Sequence, residues 1–237
     1  MSARVPRDEP RLIVEDIKYP GETGDVHAHY TRPKGDEKLP GVVVISEIWG
    51  LVPHIEDVAR RIALEGYLTI APDALSHLGG TPDDVDEARS LMRELDVQEA
   101  TKNYVAAVKY LKNHSQSTRK VGVTGFCWGG GITNQVAVNS SDVQAAVPFY
   151  GRQPDPEDVP KIKASLLIHY AGDDERINEG IPAFEAALKK ASIDYKIFIY
   201  EGAKHAFFND TSPRYHEEAS KLAWERTMAF FKEKLNN

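Results

Sequence analysis

The stretch Gly125-Phe126-Cys127-Trp128-Gly129 sets the only cysteine of the chain between glycines two positions away on either side. Small-x-nucleophile-x-small is the pattern of a sharp strand-to-helix turn. There the central residue takes strained backbone angles, and a larger neighbour two residues away would collide with the turn. The preceding VGVTGF reads as a strand and the following GGITNQVAV as a helix. A thiol on such a turn stands at a helix N-terminus, where the positive end of the dipole favours thiolate over thiol. An isolated cysteine is more often a packed core residue, but that reading explains neither the glycines nor the placement.

A thiol nucleophile needs a base, and the base needs an acid to orient it. SLLIHYAGDDERIN puts Asp173 and Asp174 directly after a predicted strand, and KIFIYEGAKHAFF puts His205 just after the last one. Nucleophile, acid, histidine is the chain order of the α/β-hydrolase triad. Asp174, the deeper of the pair in its loop, is preferred as the acid, with Asp173 as the alternative. The bland reading makes the pair a turn or helix cap and His205 a surface residue. ISEIWGL follows another predicted strand. In this fold one oxyanion-hole N–H comes from the residue after the nucleophile, here Trp128, and another from this loop, here Ile48. Glu47 would stand beside the thiol.

Weaker signals are set aside. One cysteine excludes an intrachain disulfide and a Cys-based zinc site. His27 and His29 share one face of a predicted strand without a third ligand and are expected at the surface. The glycine run lacks the Lys-Ser/Thr of a phosphate loop and the spacing of a dinucleotide fingerprint. No cofactor and no metal are expected. Trp49, Trp128, Phe149, Tyr150, Phe207 and Phe208 fall at predicted strand ends, where some line a pocket and the rest are core.

These residues are positioned by alternating strands and helices. LIVEDIKY and VHAHYTRP form an N-terminal hairpin within residues 1–33. GVVVISE is a continuous apolar run, as in a strand covered on both faces. HIEDVARRIALEGY places Ile55, Val58, Ala59, Ile62 and Ala63 on one helical face and ends at Gly66, a C-terminal cap. Residues 81–115 read as one helix with a prelude or as two helices. YLTIAP, KVGVTGF, QAAVPFYG, ASLLIHYAG and YKIFIYEG are further strands, and IPAFEAALKKA and EEASKLAWERTMAFFKEKL further helices. Alternation at this spacing implies right-handed crossovers and a mostly parallel sheet covered on both faces. The expected fold is an α/β-hydrolase domain over residues 1–237, with ligands bound beyond the carboxyl ends of the strands.

With 237 residues there is enough chain for one sizeable core, and a net charge of −7 disfavours nucleic-acid and anionic-membrane partners. The charged N-terminus lacks a signal-peptide core and no apolar run is long enough to span a bilayer, so a cytoplasmic location is expected. A small molecule is the expected partner.

Taken together, SEIWG, APDA, GFCWGG, HYAGDDERIN and GAKHAFF resemble the dienelactone hydrolase family from about Gly41 to the last helix. The resemblance implies an α/β-hydrolase fold without a large cap, no cofactor, and a Cys-His-Asp triad carried by Cys127, His205 and Asp174. It also implies a glutamate at Glu47 that contacts the resting nucleophile until substrate displaces it. Two arginines that bind a substrate carboxylate in the family are replaced here by His77 and Asn209. Without their guanidinium forks a bidentate grip on a carboxylate loses its donors, so the expected substrate is a small ester or lactone that needs no free carboxylate. Arg152 or Arg176 could supply charge from another direction. His77, Tyr150, Arg152, Phe207 and Asn209 are the candidate substrate-binding residues. A thioesterase or peptidase on the same fold, and a non-catalytic thiol sensor or binding protein, are the alternative readings; an intact triad argues against a sensor, which needs only the thiol.

Overall fold

Eight strands form one sheet in the order β1-β2-β4-β3-β5-β6-β7-β8. They are β1 (Leu12–Gly21), β2 (Gly24–Pro33), β3 (Leu39–Ile45), β4 (Leu68–Pro72), β5 (Ser117–Phe126), β6 (Ala145–Phe149), β7 (Ser165–Asp173) and β8 (Tyr195–Lys204). The computed structural model describes residues 4–236; residues 1–3 and 237, at the ends of the expected domain, lie outside the described residues. The hairpin β1-β2 joins antiparallel to β4, and β3 to β8 run parallel to one another. This is the α/β-hydrolase sheet, with no large cap domain over it.

The apolar run of β3 is divided between the two faces, as a doubly covered strand requires. Val42 and Val44 pack with helix α1 (Pro53–Leu64) and the last helix, α7 (Glu217–Leu235). Val43 and Ile45 pack with the opposite layer: α3 (Val97–Asn113), α4 (Trp128–Asn139) and α6 (Ile181–Lys190). On α1 the expected face is buried, and the chain leaves the helix through Gly66 at φ 99°. The 81–115 segment resolves into two helices, α2 (Val85–Glu94) and α3. Each has its own aspartate cap: Asp84 accepts from Glu87 N–H and Asp96 from Gln98 and Glu99 N–H. An N-cap accepting first-turn amides starts a helix afresh.

His29 departs from expectation. It is buried, not at the surface, because Arg60 of α1 lies against it with Nη1 3.2 Å from His29 Nε2. Burial first, then the Arg60 charge, holds its pKa down to about 4, so it is neutral at pH 7. His27, on the same face, is exposed.

Candidate active site

Cys127 sits between β5 and α4 at φ 57°, ψ −115°, a conformation few residues other than glycine adopt. Its neighbours must be glycine for reasons visible atom by atom. A Cβ on Gly125 would overlap the Gly129 carbonyl, and one on Gly129 would lie 2.5 Å from Ile45 O, at the end of β3. A Cβ on Gly130 would lie 2.9 Å from Gly151 Cα. At Gly131, by contrast, a Cβ meets nothing nearer than Arg152 N at 3.5 Å.

Three strand ends converge on the thiol. His205, the residue after β8, has Nε2 3.0 Å from Cys127 Sγ. Its Nδ1 donates to Asp174 Oδ2 at 2.5 Å. Asp174 is placed as the N-cap of the short helix α5 (Glu175–Asn178), yet its carboxylate makes no capping bond and is free for the histidine. Asp173 is exposed. Burial disfavours the His205 imidazolium, but the hydrogen bonds to Asp174 and Cys127, with their charges, outweigh it and push the pKa up to about 9. An imidazolium at neutral pH is the form that stabilises an adjacent thiolate and later protonates a leaving group.

Glu47 is buried at the end of β3, and Asn209 Nδ2 donates to its Oε2 at 2.5 Å. Burial raises its pKa above the ordinary carboxylate range, against the opposing pull of His54, Asn209 and His205. The thiol's hydrogen-bond partner is His205, and Glu47 is held by Asn209. Tyr150 is fully buried and held at φ 37°. Burial, then the nearby Glu47 carboxylate and Cys127, push its phenol pKa well up, so it stays a protonated hydroxyl.

A cleft of about 390 Å³ opens over Cys127 and His205. Ile48 and Trp128, the expected oxyanion donors, line it, as do Tyr150, Arg152 and Arg176. The proline-rich segment after β6 contributes Arg152, Gln153 and Asp155 to the lining. Three other candidates lie elsewhere. Phe207 is fully buried, its ring 5.3 Å from that of Tyr150 and 5.1 Å from that of Tyr200. The turn at Ala206, φ 68°, directs Phe207 and Phe208 into the α7-side core. Asn209 is buried on Glu47 and does not line the cleft. His77 is exposed in the turn Ser76–Leu78, outside the cleft lining, because Ser76 Oγ ties that turn to Asp73 O and His27 N–H. Of the strand-end aromatics, Trp128 and Tyr150 line the cleft, Phe149 is core, and Trp49 lies under the Arg89 guanidinium at 5.7 Å.

The sequence reading missed Ile132 and Gln135, which join Trp128 on the cleft side of α4. Their spacing of four and then three residues is one helical face and could have identified them. It also left His169 unexplained. That ring is fully buried, bonded to Tyr200 Oη at 2.9 Å and Thr227 Oγ1 at 3.0 Å, and burial with the Arg226 charge lowers its pKa to about 3. It is a neutral packing residue beneath the site.

A family profile described as "Dienelactone hydrolase family" matches residues 26–235. The chain belongs to the dienelactone hydrolase family. A Salmonella typhi protein named "Putative carboxymethylenebutenolidase" is 34% identical over 228 residues, covering 90% of this chain and 84% of its own. One of the same name from Escherichia coli K12 is 33% identical over 248 residues, covering 98% and 91%. The crystal structure of a Klebsiella pneumoniae protein titled "Putative Dienelactone Hydrolase" superposes with a TM-score of 0.85 at 30% identity, covering 94% of this chain and 99% of that one. A dienelactone hydrolase family member is a hydrolase, and this chain spans nearly the full length of these relatives. No helix among the described residues is long and apolar enough to cross a membrane.

Proposed function

We propose that the protein is a cysteine-dependent carboxylic-ester hydrolase acting on a small ester or lactone, with no requirement for a free carboxylate on the substrate. The observation that carries this reading is the continuous line Asp174 Oδ2, His205 Nδ1, His205 Nε2, Cys127 Sγ, with separations of 2.5 and 3.0 Å, whose Cys127 and His205 line the cleft.

The Cys127 thiolate attacks the carbonyl carbon; a C–S bond forms and the carbonyl π pair moves to oxygen. The N–H groups of Ile48 and Trp128 receive that oxyanion. Collapse breaks the C–O bond, and the His205 imidazolium protonates the departing alkoxide, leaving a thioester on Cys127. His205, now neutral, takes a proton from water as the water attacks the thioester, and the thiolate leaves. Asp174 keeps the imidazole in the tautomer and orientation both steps need. No cofactor enters this cycle.

Purified protein is expected to cleave an activated aryl ester, and Cys127→Ala to abolish that turnover. Iodoacetamide, which alkylates the thiol, is expected to do the same to the wild type. Undiminished turnover by Cys127→Ala refutes the mechanism.

A further inference from the structure

The loop that carries Ile48 has no regular secondary structure of its own, so something must fix the direction of its amides. Between the end of β3 and the start of α1 the chain makes a tight turn in which Gly50 N–H reaches back to Glu47 O at 3.4 Å. That bond is long and weak, and the other bond within the turn, Val52 N–H to Gly50 O at 3.0 Å, does not reach Ile48. The stronger restraint comes from another part of the chain: Leu51 N–H donates to Thr81 Oγ1 at 2.9 Å. The Thr81 hydroxyl in turn donates to Asp73 Oδ1 at 2.7 Å, and Thr81 N–H donates to Asp73 Oδ2 at 2.7 Å. Asp73 is buried immediately after β4, its own N–H bonded to His27 O at 2.8 Å and its Oδ1 also accepting from Leu75 N–H at 3.0 Å.

The polarity of this chain of bonds is fixed. A hydroxyl has one proton; Thr81 gives it to the Asp73 carboxylate, which leaves its lone pairs for Leu51 N–H. The bond to a carboxylate is the stronger, charge-assisted kind, and it polarises the hydroxyl toward its second partner. The packing agrees. Gly50 is at φ 73°, and a Cβ there would overlap Thr81 Oγ1 and lie 2.8 Å from Thr81 Cγ2, so the loop backbone lies flat on the threonine.

We propose that Thr81 and Asp73 are positioning residues for acyl transfer: they anchor the Glu47–Leu51 loop to the end of β4 and so aim the Ile48 N–H at the developing oxyanion. This rests on the hydrolase reading above and on Ile48 as an oxyanion donor. Neither residue touches the thiol or lines the cleft.

The test is steady-state ester hydrolysis by Thr81→Val, Thr81→Ser and Asp73→Asn, alongside their iodoacetamide alkylation rates. Loss of one oxyanion donor lowers kcat about 10²–10³-fold. A loop loosened but still present is expected to lower it about 10–100-fold in Thr81→Val, with KM within about threefold of wild type. Thr81→Ser keeps both bonds and is expected to retain kcat within about threefold. Asp73→Asn keeps the shape but has one acceptor oxygen in place of two, so with that oxygen on the Thr81 hydroxyl its NH2 faces Thr81 N–H and that bond is lost; it is expected to lose about 3–10-fold in kcat and serves as the second probe should Thr81→Val not fold. Alkylation displaces iodide at a saturated carbon and creates no oxyanion, so its rate is expected to stay within about twofold in every folded variant. Unchanged kcat in folded Thr81→Val, or a parallel fall in kcat and alkylation rate, overturns the proposal; the second result would mean that the relay supports the thiol instead. Failure of the hydrolase reading itself shows earlier and separately, as a wild type without ester turnover or a Cys127→Ala variant that keeps it, and takes the relay with it.

Discussion

The three glycines that open α4 offer a test of the elbow in which chemistry is held constant and only the local clearance changes. Alanine at any of them adds one methyl group and, other things equal, favours a helix by about 0.5–1 kcal/mol. At Gly129 other things are not equal, because that methyl would sit 2.5 Å from Ile45 O and 2.8 Å from Ile45 C, both backbone atoms of a central strand. Ordinary contact begins near 3.4 Å, so the end of β3 and the start of α4 must part by about 0.9 Å. Overpacking of this kind costs about 1–3 kcal/mol, more when only backbone can move. With the helical gain set against it, Gly129→Ala is expected to destabilise by about 2 kcal/mol. Gly131→Ala meets nothing nearer than 3.5 Å and is expected to be neutral or to stabilise by up to about 1 kcal/mol. Urea unfolding of the two variants measures the difference directly. The same displacement moves the Trp128 N–H relative to Ile48, and a misplacement of about 1 Å can cost about 10²-fold in rate. Gly129→Ala is therefore expected to lose activity even where it remains folded. Equal unfolding midpoints for the two variants, or a greater loss in Gly131→Ala, would refute the assignment of the close contact to Gly129.

Further outcomes follow from the proposed triad and its surroundings. Asp174→Asn is expected to lower kcat by about 10³–10⁴ through the wrong imidazole tautomer, while Asp173→Asn stays within about threefold, which aryl-ester kinetics on the pair will show. The His205 pKa is raised in the fold, so the imidazolium is held through neutral pH and kcat/KM is expected to fall as pH rises through about 9. The same shift contributes stability that is fully present below about 6.5 and lost as pH rises through about 9, measurable as a falling unfolding midpoint. Phe207→Ala is expected to cost about 3–5 kcal/mol of stability, as for a fully buried aromatic, and His77→Ala to leave both stability and kcat/KM unchanged.

How much of this was legible in the residues depended on whether the signal was local. Cys127 between glycines is a local pattern, because the clash that forbids side chains at 125 and 129 is with atoms of the same turn and of the strand beside it. The mostly parallel sheet and the two-faced burial of β3 followed from alternation and from the continuous apolar run, which any doubly covered parallel sheet imposes. Distinguishing Asp174 from Asp173 required the fold, since both follow one strand and only the register of the loop turns one toward His205. Phe207 was misjudged for the same reason: proximity in sequence to His205 does not fix direction, and a backbone turn at Ala206 sends it inward. His29 and Arg60 were unreadable as buried because neither residue type is usually buried; here each is the other's partner. Thr81 lies 30 residues from Leu51, and no periodicity connects them.

The departure from the family pattern at Asn209 is physically linked to Glu47. Asn209 stands where a carboxylate-binding arginine is implied, and it is also the residue that donates to Glu47. A guanidinium at that place would offer charge both to a substrate and to the glutamate; the amide offers one neutral hydrogen bond, spent on Glu47. Burial raises the Glu47 pKa against the opposing pull of His54, Asn209 and His205, and the Asn209 bond holds the side chain in place. On the proposed mechanism the nucleophile is then already paired with His205 before substrate arrives, and no anionic group on the substrate is needed to release it.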